Sequence, residues 1–562
     1  MERFASTALA VLIAALPALV GAGERGAGTE GRMWVDGPSA PPLSAVRYPV
    51  TVEDNVKIAM RDGVILDARV LVPTLTEGAG ACVLLANGYG RGESSGSRIE
   101  PPLRDLAERG YAAVHVSLRG SGESGGTNDL YNRYGEDGYD VVEWMAEQPW
   151  CDGNVGMVGG SLMGISQLLT ASQLPPHLRA IIPHVACGDC YDVLWYPGGM
   201  LPGPGRVARG EPEYPATIQH RDFDDWWRAR VTLAEDHRRM ARNGIAALIT
   251  GGWDDYLTPA SIRAYEEYRS LAGTRKKLIV GPWAHGGAPG LEPYDFQSFQ
   301  VLWLGRWLAG ERNGIAEGPK ALIYVKGPDR WRYEEDWPIR DAQPVELFLS
   351  AKRSGTIDSP NDGSLLEQSP PRTSPGVSYR YSVDAPLLPT MLSSSGRLGI
   401  DQSSEEAGAL TWTSDPLEVS TEVTGWPRLN LWISSSGGDF DLVAQITDVA
   451  ADGTSAQVVA GYLNAPRYFS RTNPEPLVTG KVYEIRMKIL PTAYVFPVGH
   501  RIRLDIAGGS KVVEGQERPQ GPRANPNPAT VTVYQDARRP SRIELPIVGT
   551  GWRQWTAGRS EH

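Results

Sequence analysis

Between Val70 and Val280 the sequence alternates short apolar runs with stretches that have the apolar spacing of a helix. The apolar runs are rich in Val, Ile and Leu and have no polar face, which is typical of strands covered on both sides. They are ACVLLA (81–86), YAAVHVSL (111–118), VGMVG (155–159), RAIIPHV (179–185), IAALIT (245–250) and KLIV (277–280). Strands that alternate with helices in this way predict a doubly wound, largely parallel α/β sheet with right-handed crossovers.

One segment interrupts this alternation. Residues 220–243, HRDFDDWWRARVTLAEDHRRMARN, are aromatic, charged and helical in pattern, and they separate two predicted strands. We interpret them as part of a helical cap, inserted over the sheet at about residues 190–243.

The pattern changes after Gly327, where Gly, Pro, Ser and Thr become more frequent and helical periodicity disappears. The remaining apolar runs alternate with period two and are separated by turn residues, as in RLNLWISS, DLVAQITDV, YEIRMKIL, HRIRLDIAG and RIELPIV. Many short strands of this kind predict an all-β sandwich, which we expect to be a jelly roll. A chain of 562 residues is also too long for one core. We therefore predict an α/β domain at 46–345 and a β-sandwich domain, expected to be a jelly roll, at 346–562.

The N-terminal stretch MERFASTALAVLIAALPALVGAG contains one Arg, an apolar run from Ala8 to Val20, and then small residues. The run is too short to span a bilayer. It predicts a secretory signal peptide at 1–22, cleaved near Ala22, with a buried N-terminal helix as the alternative. We expect residues 23–45 to be a flexible spacer and the mature protein to be secreted or periplasmic, without stable membrane insertion.

The four cysteines are too few for a disulfide framework in a chain of this length. Cys82 lies in an apolar strand and is expected to be inert. Cys187-Gly188-Asp189-Cys190 is a C-x-x-C pair, which export would permit to form a local disulfide. A structural zinc site needs a second pair of ligands. The sequence therefore predicts no metal site and leaves open whether Cys187 and Cys190 are bonded.

The stretch CDGNVGMVGGSLMGISQ (151–167) joins a predicted strand to a helix through a glycine-rich turn. A serine held on a sharp strand-to-helix turn needs small neighbours because the two backbones crowd each other, and Gly159, Gly160 and Gly164 meet that need. The helix N-terminus behind it favours developing negative charge. We interpret Ser161 as a candidate nucleophile. The alternative is a serine in a bend, because the closing glycine is one residue later than in G-x-S-x-G.

Two further candidates follow predicted strands. GGWDDYL, with Asp254 and Asp255, comes after one strand, and GPWAHGG, with His285, comes after the next. α/β-Hydrolases have their catalytic triad in the order Ser, acid, His, and the carboxyl ends of parallel strands meet at one sheet edge. Ser161, one of the two aspartates and His285 are therefore expected to lie together. The residues alone do not distinguish Asp254 from Asp255.

From about Val52 to Val548 the chain resembles the cocaine esterase/NonD-type hydrolases, which are relatives of the Xaa-Pro dipeptidyl-peptidases and α-amino-acid ester hydrolases. The blocks that carry the resemblance are WCDGNVGMVGGSLMG, GGWDDYL, VGPWAHG, SLRGSGESGG, FDDWWRAR and DPLEVSTEVTGWP. The resemblance implies Ser161 as nucleophile, Asp255 as acid and His285 as base. It also implies an α/β-hydrolase core, a helical cap and a C-terminal jelly roll.

The resemblance further implies an oxyanion hole, made by the hydroxyl of Tyr89 in LLANGYGRG and the backbone N–H of Leu162. Members of the family often have Tyr at the position of Leu162. Because the backbone N–H is the donor, this change alters packing and not chemistry. Trp226 and Trp227 are candidates for lining an acyl pocket, and packing of a cap helix is the alternative explanation for such a pair.

We therefore expect a serine hydrolase that cleaves a small-molecule ester or amide through an acyl-enzyme. No metal or organic cofactor is implied, and a homodimer is compatible with the sequence. The formal charge of −11 and the lack of a Lys/Arg cluster argue against a nucleic-acid partner.

Two alternative functions are compatible with the sequence. An Xaa-Pro dipeptidyl-peptidase needs a site for a free α-amino group. Relatives that cleave α-amino-acid esters have acids two and three residues beyond the catalytic one, where this chain has Leu257 and Thr258. The alternative of another class is a secreted glycan-binding protein with a catalytically dead core.

Overall fold

The protein is described from a computed structural model. The residues described are 33–35, 47–91, 102–200, 214–268, 275–285, 296–382, 388–389, 401–511 and 528–549. The predicted signal peptide and most of the predicted spacer lie outside these residues. Within the described part of the chain, no helix is both long enough and apolar enough to cross a membrane.

The first sheet has eleven strands, in the spatial order β1-β11-β10-β9-β8-β7-β6-β4-β5-β3-β2. Its strands are β1 (Met33–Val35), β2 (Val50–Ala59), β3 (Ile65–Pro73), β4 (Gly80–Asn87), β5 (Ala112–Ser117), β6 (Cys151–Gly160), β7 (Leu178–His184), β8 (Ala246–Gly252), β9 (Lys276–Gly281), β10 (Ala321–Val325) and β11 (Arg330–Glu334). The seven strands from β10 to β5 are parallel, and antiparallel strands flank them on both sides. This arrangement confirms the predicted α/β core.

Strand β1 differs from the expectation of a flexible spacer. Met33–Val35 pairs antiparallel with β11, from Met33 opposite Tyr333 to Val35 opposite Trp331. The free edge of β11 offers backbone donors and acceptors to any extended segment that reaches it, which the composition of 23–45 does not reveal.

Ten helices occur in the described residues, together with a π-helical turn at Tyr191–Trp195 and a 3₁₀ turn at Pro197–Gly199. They are α1 (102–108), α2 (Tyr134–Ala146), α3 (Leu162–Ser172), α4 (Tyr214–Gln219), α5 (Asp225–Arg228), α6 (Ala234–Arg242), α7 (Thr258–Glu267), α8 (Phe296–Trp307), α9 (Ser403–Glu406) and α10 (Ala465–Phe469). On one sheet face, Cys82, Leu84 and Ala86 of β4 belong to a core with α2, α3 and α7. Their neighbours Val83 and Leu85 belong to the opposite core, with α1 and α8.

The cap was predicted within the segment that joins β7 to β8, and in this segment residues 220–243 are not one helix. Helices α5 and α6 are separated by residues 229–233, where Thr232 N donates to Gly188 O at 3.0 Å. Asp236 begins α6 by accepting from the N–H of Leu233 at 3.0 Å. The insertion also contacts the second domain, because Asp222 accepts from Arg467 at 2.7 Å.

The strands change sheet between Glu334 and Gln343, and the described residues after that point are mainly in β-strands. The strands are β12 (Gln343–Ser350), β13 (Asn361–Leu366), β14 (Val377–Tyr381), β15 (Leu388–Pro389), β16 (Leu410–Thr413), β17 (Thr421–Gly425), β18 (Arg428–Ser435), β19 (Asp441–Val449), β20 (Ser455–Asn464), β21 (Tyr483–Lys488), β22 (Thr492–Phe496), β23 (Arg501–Ala507), β24 (Ser510–Lys511), β25 (Ala529–Asp536), β26 (Arg539–Pro540) and β27 (Arg542–Val548). Most join one branched, largely antiparallel sheet of 14 strands around a separate apolar core. The predicted β-rich C-terminal domain is therefore present.

The cysteines form two disulfides, Cys187–Cys190 and Cys82–Cys151. The first answers the question that the C-x-x-C pair left open. The second corrects the expectation that Cys82 is inert. Strands β4 and β6 are neighbours in the sheet, and an irregularity in their register brings the Cα atoms of Cys82 and Cys151 to 5.8 Å. The two residues are 69 positions apart, so only the strand order reveals that they are neighbours.

Candidate active site

Ser161 is the single residue between β6 and α3, and its backbone has φ 57° and ψ −125°. A residue with a side chain rarely adopts this conformation, and such strain is typical of a nucleophile on a strand-to-helix turn. The turn needs small neighbours. A Cβ at Gly164 would lie 2.7 Å from the Cβ of Ala186, and one at Gly160 would lie 3.1 Å from the ring of His184. The backbone N–H of Ser161 donates to His184 O at 2.9 Å, which holds the turn against β7.

Gln167 supports the turn from inside the protein, and the sequence analysis missed it. Its side chain is fully buried. Nε2 donates to the carbonyl oxygens of Gly159 at 3.0 Å and Ile182 at 3.2 Å, and Oε1 accepts from Ile182 N at 2.8 Å. One side chain thus joins the end of β6 to β7. The available signal was a lone amide within the apolar helical run that follows Ser161.

Ser161, His285 and Asp255 form a hydrogen-bonded chain. Ser161 Oγ lies 2.8 Å from His285 Nε2, and His285 Nδ1 lies 2.6 Å from Asp255 Oδ2. The three residues follow β6, β9 and β8, so the parallel strands bring them to one sheet edge. Asp255 is 1% exposed, and its other oxygen accepts from Leu257 N at 2.5 Å. Asp254 instead lies 3.6 Å from the Nζ of Lys326, so Asp255 is the aspartate that contacts His285.

Two hydrogen-bond donors lie beside the serine. The hydroxyl of Tyr89 is 3.5 Å from Ser161 Oγ. The tyrosine loop is held by buried Asn87, whose Oδ1 accepts from Tyr89 N at 2.9 Å and whose Nδ2 donates to Gly90 O at 3.0 Å. Leu162 is the first residue of α3, and within the described part of the chain no group accepts its N–H. The structure thus brings both predicted oxyanion donors to the serine.

Trp227 does not line an acyl pocket, contrary to the expectation from the sequence. It is fully buried, its Nε1 donates to His220 O at 2.6 Å, and its ring packs edge-on against Tyr191 and Tyr196. A side chain without exposed surface cannot line an acyl pocket, because its hydrophobic contacts are already used within the cap. Trp226 is half-buried, with its ring stacked on His220 at 4.6 Å and under Arg230 at 3.9 Å. A role of Trp226 in substrate binding stays a prediction.

Two histidines lie behind the site, of which His115 is buried and His184 is partly buried. Burial lowers the pKa of His184 to about 4, helped by repulsion from His285 and opposed by Asp255. Its Nδ1 lies 2.7 Å from the hydroxyl of Thr250. Burial, reinforced by Arg91 and Arg69, also lowers the pKa of His115 to about 4. The Nε2 of His115 lies 3.2 Å from Asn87 Nδ2. The lowered pKa of each ring favours its neutral form beside the serine turn and beside the loop of Tyr89.

The described residues contain no group of three or more His, Cys, Asp or Glu side chains placed to hold a metal ion. The side chains around Ser161 are instead a nucleophile, a base, an acid and hydrogen-bond donors, which together suit acyl transfer.

The sequence matches the X-Pro dipeptidyl-peptidase (S15 family) over residues 62–209 and 203–287. It matches the X-Pro dipeptidyl-peptidase C-terminal non-catalytic domain over residues 313–544. The first match lies in the α/β core, and the second begins before β10 of the first sheet and extends through most of the β-rich part of the chain.

Individual relatives agree with these matches. Cocaine esterase from Rhodococcus sp. (strain MB1 Bresler) is 28% identical, over 82% of this chain and 91% of its own length. A putative Xaa-Pro dipeptidyl-peptidase from Bacillus cereus is 24% identical, over 70% of each chain. The fold is similar to that of a CocE/NonD family hydrolase from Staphylococcus aureus, with a TM-score of 0.71, 21% identity and coverage of 89% of this chain and 94% of the other.

The protein is thus a hydrolase of the esterase or dipeptidyl-peptidase class. It belongs to the cocaine esterase/NonD-type, Xaa-Pro dipeptidyl-peptidase-like family, which was the family expected from the sequence.

Proposed function

We propose that this protein is a secreted serine esterase that cleaves a small-molecule ester, or a related amide, through an acyl-enzyme on Ser161. The observation that carries the proposal is the hydrogen-bonded chain Ser161–His285–Asp255 on a strained turn at a helix N-terminus. A strained serine conformation is costly, and a serine in an ordinary bend has no need of it.

In this mechanism, His285 Nε2 takes the proton of Ser161 as Oγ attacks the carbonyl carbon of the substrate. Asp255 accepts from Nδ1, which sets the tautomer of the ring and stabilises the imidazolium. The carbonyl oxygen becomes an oxyanion and accepts from the Tyr89 hydroxyl and the Leu162 N–H.

The tetrahedral intermediate collapses as His285 returns the proton to the leaving alcohol or amine. Water then attacks the acyl-enzyme with His285 as base, and this step releases the acid and restores the Ser161 hydroxyl.

An esterase is favoured over an exopeptidase by the residues that follow Asp255. Leu257 is 1% exposed, and the hydroxyl of Thr258 accepts from Gly252 N at 2.8 Å. Neither residue offers a carboxylate to a free α-amino group. Exopeptidase activity is the second candidate function, because the relatives include a putative Xaa-Pro dipeptidyl-peptidase.

The proposal also includes export of the protein and the topology of its C-terminal domain. Export through the N-terminal signal peptide is supported by the two disulfides, because disulfides persist in oxidising compartments. A jelly-roll topology for the C-terminal domain is supported by its largely antiparallel strands and its separate core.

The experiment is to compare wild type, Ser161→Ala and Ser378→Ala, the last being an exposed serine on β14. Wild type and Ser378→Ala should be labelled by a fluorophosphonate and should hydrolyse 4-nitrophenyl esters. Ser161→Ala should not be labelled and should lose on the order of 10⁴-fold or more in kcat. A wild-type protein that is folded and unlabelled would favour the dead glycan-binding alternative. Faster turnover of alanyl-prolyl anilide than of any ester would favour the exopeptidase.

A further inference from the structure

A cleft of about 300 Å³ lies between the α/β core, the insertion and the β-rich domain. The core contributes Tyr256 and Arg263, the insertion contributes Tyr191, and the β-rich domain contributes Trp426, Arg467 and Lys488. Tyr256 connects this cleft to the active site, because its ring also stacks on the imidazole of His285 with 4.8 Å between ring centres. The cleft is therefore one aromatic side chain away from the base.

The walls of the cleft carry more positive than negative side chains. Five positive side chains line it, namely Arg263, Arg467, Arg471, Arg486 and Lys488. Among the described wall residues, only Asp192 carries a negative charge. Each arginine has one carboxylate partner, in the pairs Arg263–Asp192 (2.5 Å), Arg467–Asp222 (2.7 Å), Arg471–Asp189 (2.5 Å) and Arg486–Glu484 (3.0 Å). The five cations thus face four carboxylates, and one positive charge is in excess.

The excess charge belongs to Lys488 at the end of β21. Its ammonium lies 5.2 Å from the ring centre of Trp426, and it has no ion pair within the described part of the chain. Arg467 also offers an unused donor, because its buried Nε has no acceptor among the described residues. Buried N–H groups normally have a partner, so an unpartnered guanidinium N–H on a cleft wall indicates a place for an acceptor.

We propose that this cleft binds a carboxylate at the non-reacting end of the substrate, so that the enzyme prefers esters of dicarboxylic acids and similar acid-bearing esters. The inference rests on the proposed esterase function and adds the substrate class. Lys488 and Arg467 would hold the carboxylate, since charged donors make the strongest hydrogen bonds to it. Tyr256 and Trp426 would pack against the connecting carbon chain. An ammonium group in the same place would be repelled by the unpaired positive charge of Lys488.

The test uses matched esters that differ only in one charge. They are the mono-4-nitrophenyl esters of adipic and suberic acid, and the same esters with the distal acid capped as a methyl ester. Wild type should have a higher kcat/KM for the free acids, and added salt should reduce this preference. Lys488→Gln should lower the ratio of acid to capped ester about five-fold, and Lys488→Glu should lower it further. Lys481→Gln, an exposed lysine just before β21, is the matched control and should keep the wild-type ratio.

A second measurement does not depend on turnover. Suberate should bind Ser161→Ala in a calorimetric titration, and adding Lys488→Gln should weaken that binding by a similar factor. The inference is overturned if wild type does not distinguish acid from capped ester, or if Lys488→Gln behaves like Lys481→Gln. If no ester is hydrolysed and no fluorophosphonate label appears, the proposed function fails, and the suberate titration still decides the anion site.

Discussion

Asp255 and His285 are joined by a hydrogen bond of 2.6 Å between Oδ2 and Nδ1, although 30 residues separate them. The carboxylate is almost fully buried, so it orients the imidazole without competition from water. The preceding residue, Asp254, has a different environment and pairs with Lys326. Because the chain reverses direction after β8, two consecutive aspartates have separate partners.

Replacing these two carboxylates separately should have very different effects. Asp255→Asn should lower kcat by roughly 10⁴-fold, because the amide favours the wrong imidazole tautomer and cannot stabilise the imidazolium. Asp254→Asn keeps the shape of a residue that does not contact His285 and should change kcat by less than about ten-fold. Steady-state kinetics on one 4-nitrophenyl ester measures both. A larger loss in Asp254→Asn would contradict the assignment of Asp255.

Tyr89→Phe removes only the hydroxyl that lies 3.5 Å from Ser161 Oγ. An oxyanion donor acts mainly in the transition state, so kcat should fall roughly 10²-fold with a smaller change in KM. The control is Tyr139→Phe, whose ring lies under Arg61 on the surface of α2. Unchanged kinetics in Tyr89→Phe would mean that this tyrosine has only a structural role.

The order of strands and the residues directly after them could be predicted from the sequence. Ser161 and His285 follow apolar runs at the edge where parallel strands end, so their proximity depends only on the sheet being parallel. The choice of Asp255 over Asp254 needed the family resemblance, because a shift of one residue leaves the pattern unchanged. It is the hydrogen bond to His285 that distinguishes them in the structure.

What could not be predicted depends on packing between distant segments. Trp227 is indistinguishable from an acyl-pocket residue until its burial against Tyr191 and Tyr196 is known. The Cys82–Cys151 disulfide requires β4 and β6 to be neighbours. The cationic cleft combines Arg263 with residues of the β-rich domain some 200 positions away, and no local pattern in the sequence connects them.

Removing the Cys82–Cys151 disulfide should destabilise the α/β core more than removing Cys187–Cys190. The Cys82–Cys151 bond joins residues that are 69 positions apart, whereas the Cys187–Cys190 bond joins residues only 3 positions apart. Loop-closure entropy then assigns about 4 kcal/mol to the first and about 1.6 kcal/mol to the second. We expect the Cys82→Ala/Cys151→Ala protein to unfold at a clearly lower temperature than Cys187→Ala/Cys190→Ala. The reverse order in calorimetric scans at one heating rate would contradict this.

The stability of the protein in acid should depend on buried His115. Burial lowers the pKa of His115 to about 4, whereas an unfolded histidine has a pKa near about 6.5. Between these values the unfolded chain binds a proton that the folded protein does not. The free energy of unfolding must therefore decrease as pH falls from about 6.5 to about 4, by at most about 1.4 kcal/mol per pH unit for this residue. The contribution of neutral His115 to the free energy of unfolding is fully present only above the unfolded pKa of about 6.5.

His115→Gln tests this without removing the acceptor for Asn87, because the glutamine Oε1 can replace the imidazole Nε2 that lies 3.2 Å from Asn87 Nδ2. The variant should unfold with a shallower pH dependence than wild type between pH 4 and 6.5, and with the same dependence above pH 7. His177→Gln, on the exposed edge of the core, controls for the loss of a histidine as such. The measurement is the midpoint of denaturant unfolding at a series of pH values. If the His115→Gln and wild-type curves run parallel through the acid range, then His115 is not held neutral in the fold, and the buried support of the Tyr89 loop must be assigned to Asn87 alone.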